Sequence, residues 1–231
     1  MDFFTYLSGD YKPLSFDTRS ILVMNSKGGS GKTTLATNLA SYYATKKFPV
    51  VLVDFDPQGS SMAWLEARAE GRPPIRGLAA WREGLRVPKP TRVAILDVPS
   101  GLHHRQLTKV LKHAHTVIIP VLPSPIDIRA AGDFIDELLQ AHDRAGLRSK
   151  LAVVANRVRE NTHAYEHLEA FLSGLTLPFI TTLREHSNYL SAAERGLGLF
   201  EMAPSAVETD LKQWKPLLTW LHSRRSLPTA R

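Results

Sequence analysis

The stretch Lys27-Gly28-Gly29-Ser30-Gly31-Lys32-Thr33-Thr34 constrains this chain more than any other feature. It follows the apolar run Ile21-Leu22-Val23-Met24 and precedes Leu35-Ala36-Thr37-Asn38-Leu39-Ala40, whose apolar positions have helical spacing. Strand, glycine loop and helix in that order form the context in which a phosphate-binding loop is expected. Glycines let successive backbone N–H groups curl around phosphates, and the helix that follows aims its positive dipole end at them. Lys32 is then placed to reach the β- and γ-phosphates, and the Thr33 hydroxyl to sit on Mg2+. The strict pattern G-x-x-x-x-G-K-[ST] fails at one position. Ser26 stands where the first glycine belongs, and Lys27 follows it at the start of the loop.

Two later segments point the same way. Val50-Val51-Leu52-Val53 ends in Asp54-Phe55-Asp56-Pro57-Gln58-Gly59-Ser60. A carboxylate at the C-terminal edge of a strand, beside a phosphate loop, can hold Mg2+ or orient a water. Asp, Pro and Gly are also common turn formers, so the segment alone reads equally as a turn. The third segment is Val93-Ala94-Ile95-Leu96-Asp97, an apolar strand ending in an acid, followed by Val98-Pro99-Ser100-Gly101.

Taken together, K-G-G-x-G-K-T-T, D-x-D-P-Q-G and the strand-ending Asp97 resemble the ParA/MinD family of P-loop ATPases, over residues 20–222. The resemblance implies ATP and Mg2+ as ligands. Lys27 becomes the residue that crosses a dimer interface to the partner's nucleotide. Asp56 positions the attacking water, Asp54 supports the metal site, and Asp97 acts on Mg2+ through water in the Walker B position. Gly28, Gly29, Ser30, Gly31, Lys32, Thr33 and Thr34 line the phosphates. Val98 and Ser100 depart from the family's usual residues after Walker B. Asn156 is expected to read the adenine edge, because an amide carries both donor and acceptor; Pro204 lies where the family walls the base. Arg184 matches an arginine linked to nonspecific DNA binding, although His186 replaces the second basic residue of that pattern. Arg157, Arg159, Arg195, Lys212, Lys215, Arg224 and Arg225 are further basic candidates, of which Arg157, Arg195, Lys212 and Lys215 join Arg184 as expected DNA contacts.

The chain has 29 Lys and Arg against 22 Asp and Glu, a net charge of +7. Such an excess on a nucleotide-binding chain suggests a further polyanionic partner, with nonspecific DNA first among them. Cysteine is absent, which excludes disulfides and the cysteine-held iron–sulfur or zinc centres of some relatives of this ATPase class. No apolar stretch reaches the roughly 18 residues that span a bilayer, and residues 1–6 lack the pattern of a signal peptide. A cytoplasmic, nucleoid-associated protein is expected. Adjacent or i, i+2 histidines do not share a helical face, so His103-His104 and His113 with His115 are not read as a metal site.

Apolar runs alternate with helical patterns, which predicts an α/β fold with a doubly wound, mostly parallel sheet flanked by helices, the P-loop NTPase fold. Strands are expected at 20–24, 50–54, 92–97, 116–121, 150–156 and 178–181, and helices at 32–46, 61–69, 104–112, 126–144, 161–173, 187–195 and 205–222. The Arg-, Gly- and Pro-rich segment 66–92 reads as a mobile connection with one short helix around 78–85. Residues 1–19 read as an N-terminal extension, packed on the surface or partly disordered. Residues 20–223 read as the ATPase domain and 224–231 as a basic tail. Val207, Leu211, Trp214, Leu217, Leu218 and Leu221 form one apolar helix face. It reads as packing against the sheet, with Pro216 interrupting the helix.

These readings combine into an ATP-switched homodimer that binds DNA nonspecifically and positions or segregates a plasmid, a chromosome or a protein cargo such as a carboxysome. A ParB-like or cargo-adaptor protein is expected to stimulate slow hydrolysis, and no stable membrane association is expected. Two alternatives stay open: a MinD-like membrane-cycling regulator, and a metabolic ATP-dependent synthase on the same fold.

Overall fold

Uninterrupted Val, Ile and Leu runs become strands buried on both faces, as parallel strands covered by helices on either side must be. The computed structural model describes residues 18–228. Strands and helices alternate as β1 (Arg19–Val23), α1 (Lys32–Thr45), β2 (Val50–Asp54), α2 (Ser60–Glu66), β3 (Ile75–Ala79), α3 (Ala80–Glu83), β4 (Val93–Asp97) and α4 (His104–Leu111). They continue as β5 (Thr116–Val121), α5 (Pro125–Arg144), β6 (Lys150–Val158), α6 (His163–Ser173), β7 (Phe179–Arg184), α7 (Ser187–Ala193) and α8 (Pro204–His222). The seven strands are ordered β3-β2-β4-β1-β5-β6-β7, and β1–β4, β2–β3, β2–β4, β5–β6 and β6–β7 pair in parallel. The expected fold class is the observed one.

The described residues fall into two compact units. The first holds 18–23, 32–99 and 187–207. Its strands run β3-β2-β4-β1, and register sets Asp54 opposite Asp97 across β2 and β4. Val23, the last residue of β1, pairs with Asp97 as well. Three chain segments therefore end at one edge of this half-sheet. Helix α1 is buried almost throughout, with Leu35, Ala36, Leu39, Ala40 and Tyr43 in the core. Its close packing is completed by Asn38, whose Oδ1 accepts the Leu199 N–H at 2.8 Å. A buried ion pair, Arg68–Glu201 at 2.6 Å, ties the end of α2 to the turn at 199–201. Gly196 lies against it at φ +60°, where a Cβ would fall 2.4 Å from the Arg68 backbone nitrogen.

The second unit holds 24–31, 100–186 and 208–228. Strands β5, β6 and β7 are its sheet, and Trp214, Leu217 and Leu221 of α8 are buried. The apolar face of α8 is thus a packing face.

Two expectations require correction. Residues 66–92 are not only a connection, since they contain the edge strand β3 before the short α3. Ile75-Arg76-Gly77-Leu78-Ala79 has too few apolar residues to announce a strand, and its pairing with β2 makes it one. Nor does Pro216 interrupt α8. The helix runs on to His222, and its non-helical residue is Val207 (φ −121°, ψ 15°). A buried proline-flanking face at Trp214 and Leu217 outweighs the one backbone hydrogen bond that proline removes. At the C-terminus, Arg224–Ser226 form a single 3-10 turn. Ser226 is buried there, and its carbonyl accepts the Thr116 hydroxyl at 2.7 Å. The expected extension lies outside the described residues up to position 17, and β1 takes Arg19.

Candidate functional site

The loop begins where β1 ends, and its entry is fixed by a residue with no part in the motif. Asn25 is buried. Its amide donates to the Pro120 carbonyl at 2.6 Å, while its Oδ1 accepts the Lys27 N–H at 3.1 Å. The Gly101 N–H donates to the Ser26 carbonyl at 3.0 Å, so the segment after Asp97 braces the same turn. Gly28 and Gly29 are exposed, and Gly29 takes φ +76°, with open space where a Cβ would point. This leaves the loop's outer backbone open to a ligand.

Asn156, at the end of β6, lies under the loop. Its amide donates to the Ser30 carbonyl at 2.8 Å, and the side chain is buried. A Cβ on Gly31 would fall 2.1 Å from Asn156 Nδ2, and Gly31 has φ +90°. Only glycine satisfies both conditions. Asn156, expected at the adenine edge, already commits one of its amide N–H groups to holding the loop.

Past Gly31 the chain enters α1 and the first unit. Lys32 is 8% exposed. Burial lowers its pKa, and Asp97 and then Asp56 pull it back. Asp97 is buried, and its pKa is pushed up to about 6 by desolvation. Hydrogen bonds from Ser61 and Thr33 and the charge of Lys32 oppose that rise, while Asp54 adds to it. The Ser61 hydroxyl donates to Asp97 at 2.5 Å. Register accounts for the proximity of the two acids, and burial for their unfavourable charge. A pair of carboxylates that desolvation makes reluctant to ionise is a place where a cation binds favourably.

Asp54, expected to support the metal, has both oxygens occupied by backbone N–H groups. Oδ1 accepts from Asp56 at 2.9 Å, and Oδ2 accepts from Ser61 at 3.1 Å and Met62 at 3.3 Å. These bonds satisfy the open N-terminal N–H groups of α2 and fix the turn that carries Asp56. Asp56 accepts the Gln58 N–H on its own Oδ1 at 2.9 Å and remains half-exposed. Asn25 and Ser61 are the site residues that sequence reading missed. Asn25 gives a weak signal, as a polar residue directly between an apolar strand and the loop. Ser61 gives none.

A family model described as the CobQ/CobB/MinD/ParA nucleotide binding domain matches residues 21–200. The chain belongs to this family. Within it, the chain is 27% identical over 190 residues to the Maintenance of carboxysome distribution protein A of Halothiobacillus neapolitanus, covering 79% of this chain and 87% of that relative. Apo McdA from Cyanothece superposes with a TM-score of 0.67 over 87% of this chain and 99% of that one, at 16% identity. A putative plasmid partition protein from Borrelia burgdorferi B31, bound to AMPPNP, gives a TM-score of 0.67 over the same shares at 14% identity. At such identities the likeness shows the fold.

The remaining expected residues are more dispersed. Pro204 is exposed at the start of α8. Arg184 makes two hydrogen bonds to the fully buried Asp210, from Nε at 2.7 Å and Nη2 at 3.0 Å. Arg157 and Arg159 share Glu185, at 2.8 and 2.6 Å, and hold its carboxyl below the usual range through those hydrogen bonds. Lys212 pairs with Glu208 one helical turn away, at 2.7 Å. Arg195 and Lys215 are exposed. Among the described residues, no group of three His, Cys, Asp or Glu side chains could hold a metal ion, and no helix is long and apolar enough to cross a membrane.

Proposed function

We propose that this chain is an Mg2+-dependent ATPase working as a dimerising switch. The ATP-bound dimer binds DNA without sequence preference and positions or segregates a cargo, and a partner protein stimulates hydrolysis. The observation that carries the reading is the pair of lysines on one loop. Lys32 is buried against the Asp56 and Asp97 carboxylates, while Lys27, at the loop's other end, is half-exposed. The reading assigns Lys32 to the phosphates of its own nucleotide and Lys27 to those of a second protomer.

In this reading the backbone of Gly28 to Thr34 wraps the phosphates, with Lys32 at the β- and γ-positions. The Thr33 hydroxyl would hold Mg2+, with Asp97 behind it, and Asp54 maintains the turn beneath. Mg2+ commonly takes one or two protein oxygens and completes its shell with phosphates and water, so this sparse donor set fits it. The ion supplies charge neutralisation at the phosphates. Asp56 orients the attacking water. Asn156 and Pro204 border the base.

Arg157, Arg195, Lys212 and Lys215 are the proposed DNA contacts. Exposed ion pairs such as Lys212–Glu208 are worth about 0–1 kcal/mol, so a phosphate can replace the carboxylate. Arg184, paired with the buried Asp210, belongs to the same unit as Arg157, Lys212 and Lys215. The relative named for carboxysome distribution supports a cargo of that general kind. The apolar face of α8 is buried in its own unit, so that face is not offered to a membrane.

Light scattering on the eluting protein with Mg2+–ATP tests the switch. The natural chain is expected to move from monomer to dimer. The Lys27→Ala chain should bind ATP yet stay monomeric. A Lys27→Ala chain that dimerises normally would overturn the trans role.

A further inference from the structure

A groove of about 670 Å3 opens in the first unit, at the opposite strand ends from Asp54 and Asp97. Its floor is apolar: Phe48, 43% exposed, lies there with Pro74 and Pro90. Its rim carries Lys47, Arg72, Arg76 and Lys89, and among the described residues no acidic side chain lines it. None of these four cations has a carboxylate partner among the described residues. An exposed phenylalanine among prolines with an unbalanced basic rim marks a surface suited to an apolar, acidic peptide.

The chain itself contains such a peptide, and Thr18, the residue that follows it, is held beside the groove. Residues 1–17 include Phe3, Phe4, Tyr6, Leu7, Tyr11, Leu14 and Phe16, with Asp2, Asp10 and Asp17 against the single Lys12. The next residue, Thr18, donates its hydroxyl to the Thr91 carbonyl at 2.9 Å, and Thr91 lines the groove. The Arg19 N–H then donates to the Arg92 carbonyl. Seventeen residues reach up to about 55 Å when extended, so a groove beginning at the anchor point is well within range. Aromatic side chains bury about 150–250 Å2 each, and a groove of this volume lies within the usual range for peptide- and ligand-sized sites. Tethering raises the local concentration to roughly millimolar, which favours a weak intramolecular contact over a diffusing competitor.

We propose that residues 1–17 dock in this groove of their own chain, aromatic side chains on Phe48 and the prolines, aspartates on the basic rim. The contact lies at the opposite strand ends from Asp54 and Asp97, so it is a surface for regulation or partner exchange and takes no part in the chemistry.

The absence of cysteine makes a thiol probe unambiguous. In the full chain, Thr45→Cys places one thiol in the groove lining. Maleimide labelling of that thiol is expected to speed up about tenfold, the signature of lost local protection, when Phe3, Phe4 and Tyr6 are all replaced by Ser. Phe48→Ala should have the same effect from the groove side. Equal rates in all three chains would overturn the proposal. A photo-cross-linking residue at position 6 of the otherwise natural chain is expected to capture peptides containing 44–49 or 88–91 at monomer mass. Capture of those peptides only at dimer mass would assign the groove to a second copy and overturn the intramolecular assignment, as would capture elsewhere.

Discussion

Gly31 shows how narrowly the loop is specified at a single residue. An alanine there meets two independent penalties: a φ of +90° and a Cβ 2.1 Å from Asn156 Nδ2. Backbone strain of this kind is worth about 1–3 kcal/mol. Gly31→Ala is expected to lower ATP affinity at least tenfold by titration calorimetry. Adding Asn156→Ala should restore only part of it, because the clash is removed while the backbone strain remains. Full rescue would mean that the contact alone sets the geometry. Asp56 makes a different test. Its backbone N–H and side chain are both positioned by Asp54 and Gln58, so Asp56→Ala leaves the fold intact. On the proposed mechanism it should bind ATP, form the dimer and hydrolyse at least about a hundredfold more slowly, the scale of a lost general base or water-orienting group. Hydrolysis near the natural rate in a phosphate-release assay would remove Asp56 from the mechanism.

Between elements, Glu201 is a polar tie of the first unit with four hydrogen bonds. Its carboxylate receives Arg68 through Nη1 at 2.8 Å and Nη2 at 2.6 Å, the Ser41 hydroxyl at 2.7 Å and the Gly198 N–H at 3.1 Å. Burial alone would raise its pKa, and these partners together bring it below the usual value. A carboxyl with a depressed folded pKa contributes stability that is present above its unfolded pKa, near 4.3, and is lost as pH falls through the folded value. The natural chain should therefore lose stability as pH drops below about 4.3. Glu201→Gln should be destabilised at pH 7 by about 3–5 kcal/mol, because it leaves the buried Arg68 charge without its carboxylate, held only by the Gly196 and Pro73 carbonyls, and its melting temperature should vary less across the acid range. A variant as acid-sensitive as the natural chain would show that other carboxyls dominate.

For the whole molecule, the net charge of +7 bears on function only through where the cations stand. Several are already matched to acids, as Arg157 and Arg159 are with Glu185, so the overall excess overstates what DNA would meet. The proposed switch predicts ATP-dependent binding to a random duplex that weakens with salt, the slope changing by about 0.9 for each phosphate contact. Lys215→Ala should lower that slope by about one without altering sequence preference. Arg184→Ala should also lower thermal stability, since it removes two charge-assisted hydrogen bonds from the buried Asp210. A slope unaffected by Lys215→Ala would place the DNA elsewhere.

The sequence by itself determined the parts whose signals are contiguous. The phosphate loop is eight consecutive residues, and the buried strands are unbroken apolar runs. Asp54 and Asp97 close two of those runs, so their place at the strand ends could be read before any pairing was known. Tertiary structure decided what depends on residues far apart in the chain. Asn25 meets Pro120, and Asn156 meets Ser30, only through the pairing of separate segments. Asp54 holds a helix start because the backbone folds back over it. Strand β3 exists through its ladder with β2, and α8 carries Pro216 because Trp214 and Leu217 are buried on either side of it. Local pattern fixes which segments become strands and helices. Register and burial fix which side chains they bring together, and no local rule contains that information.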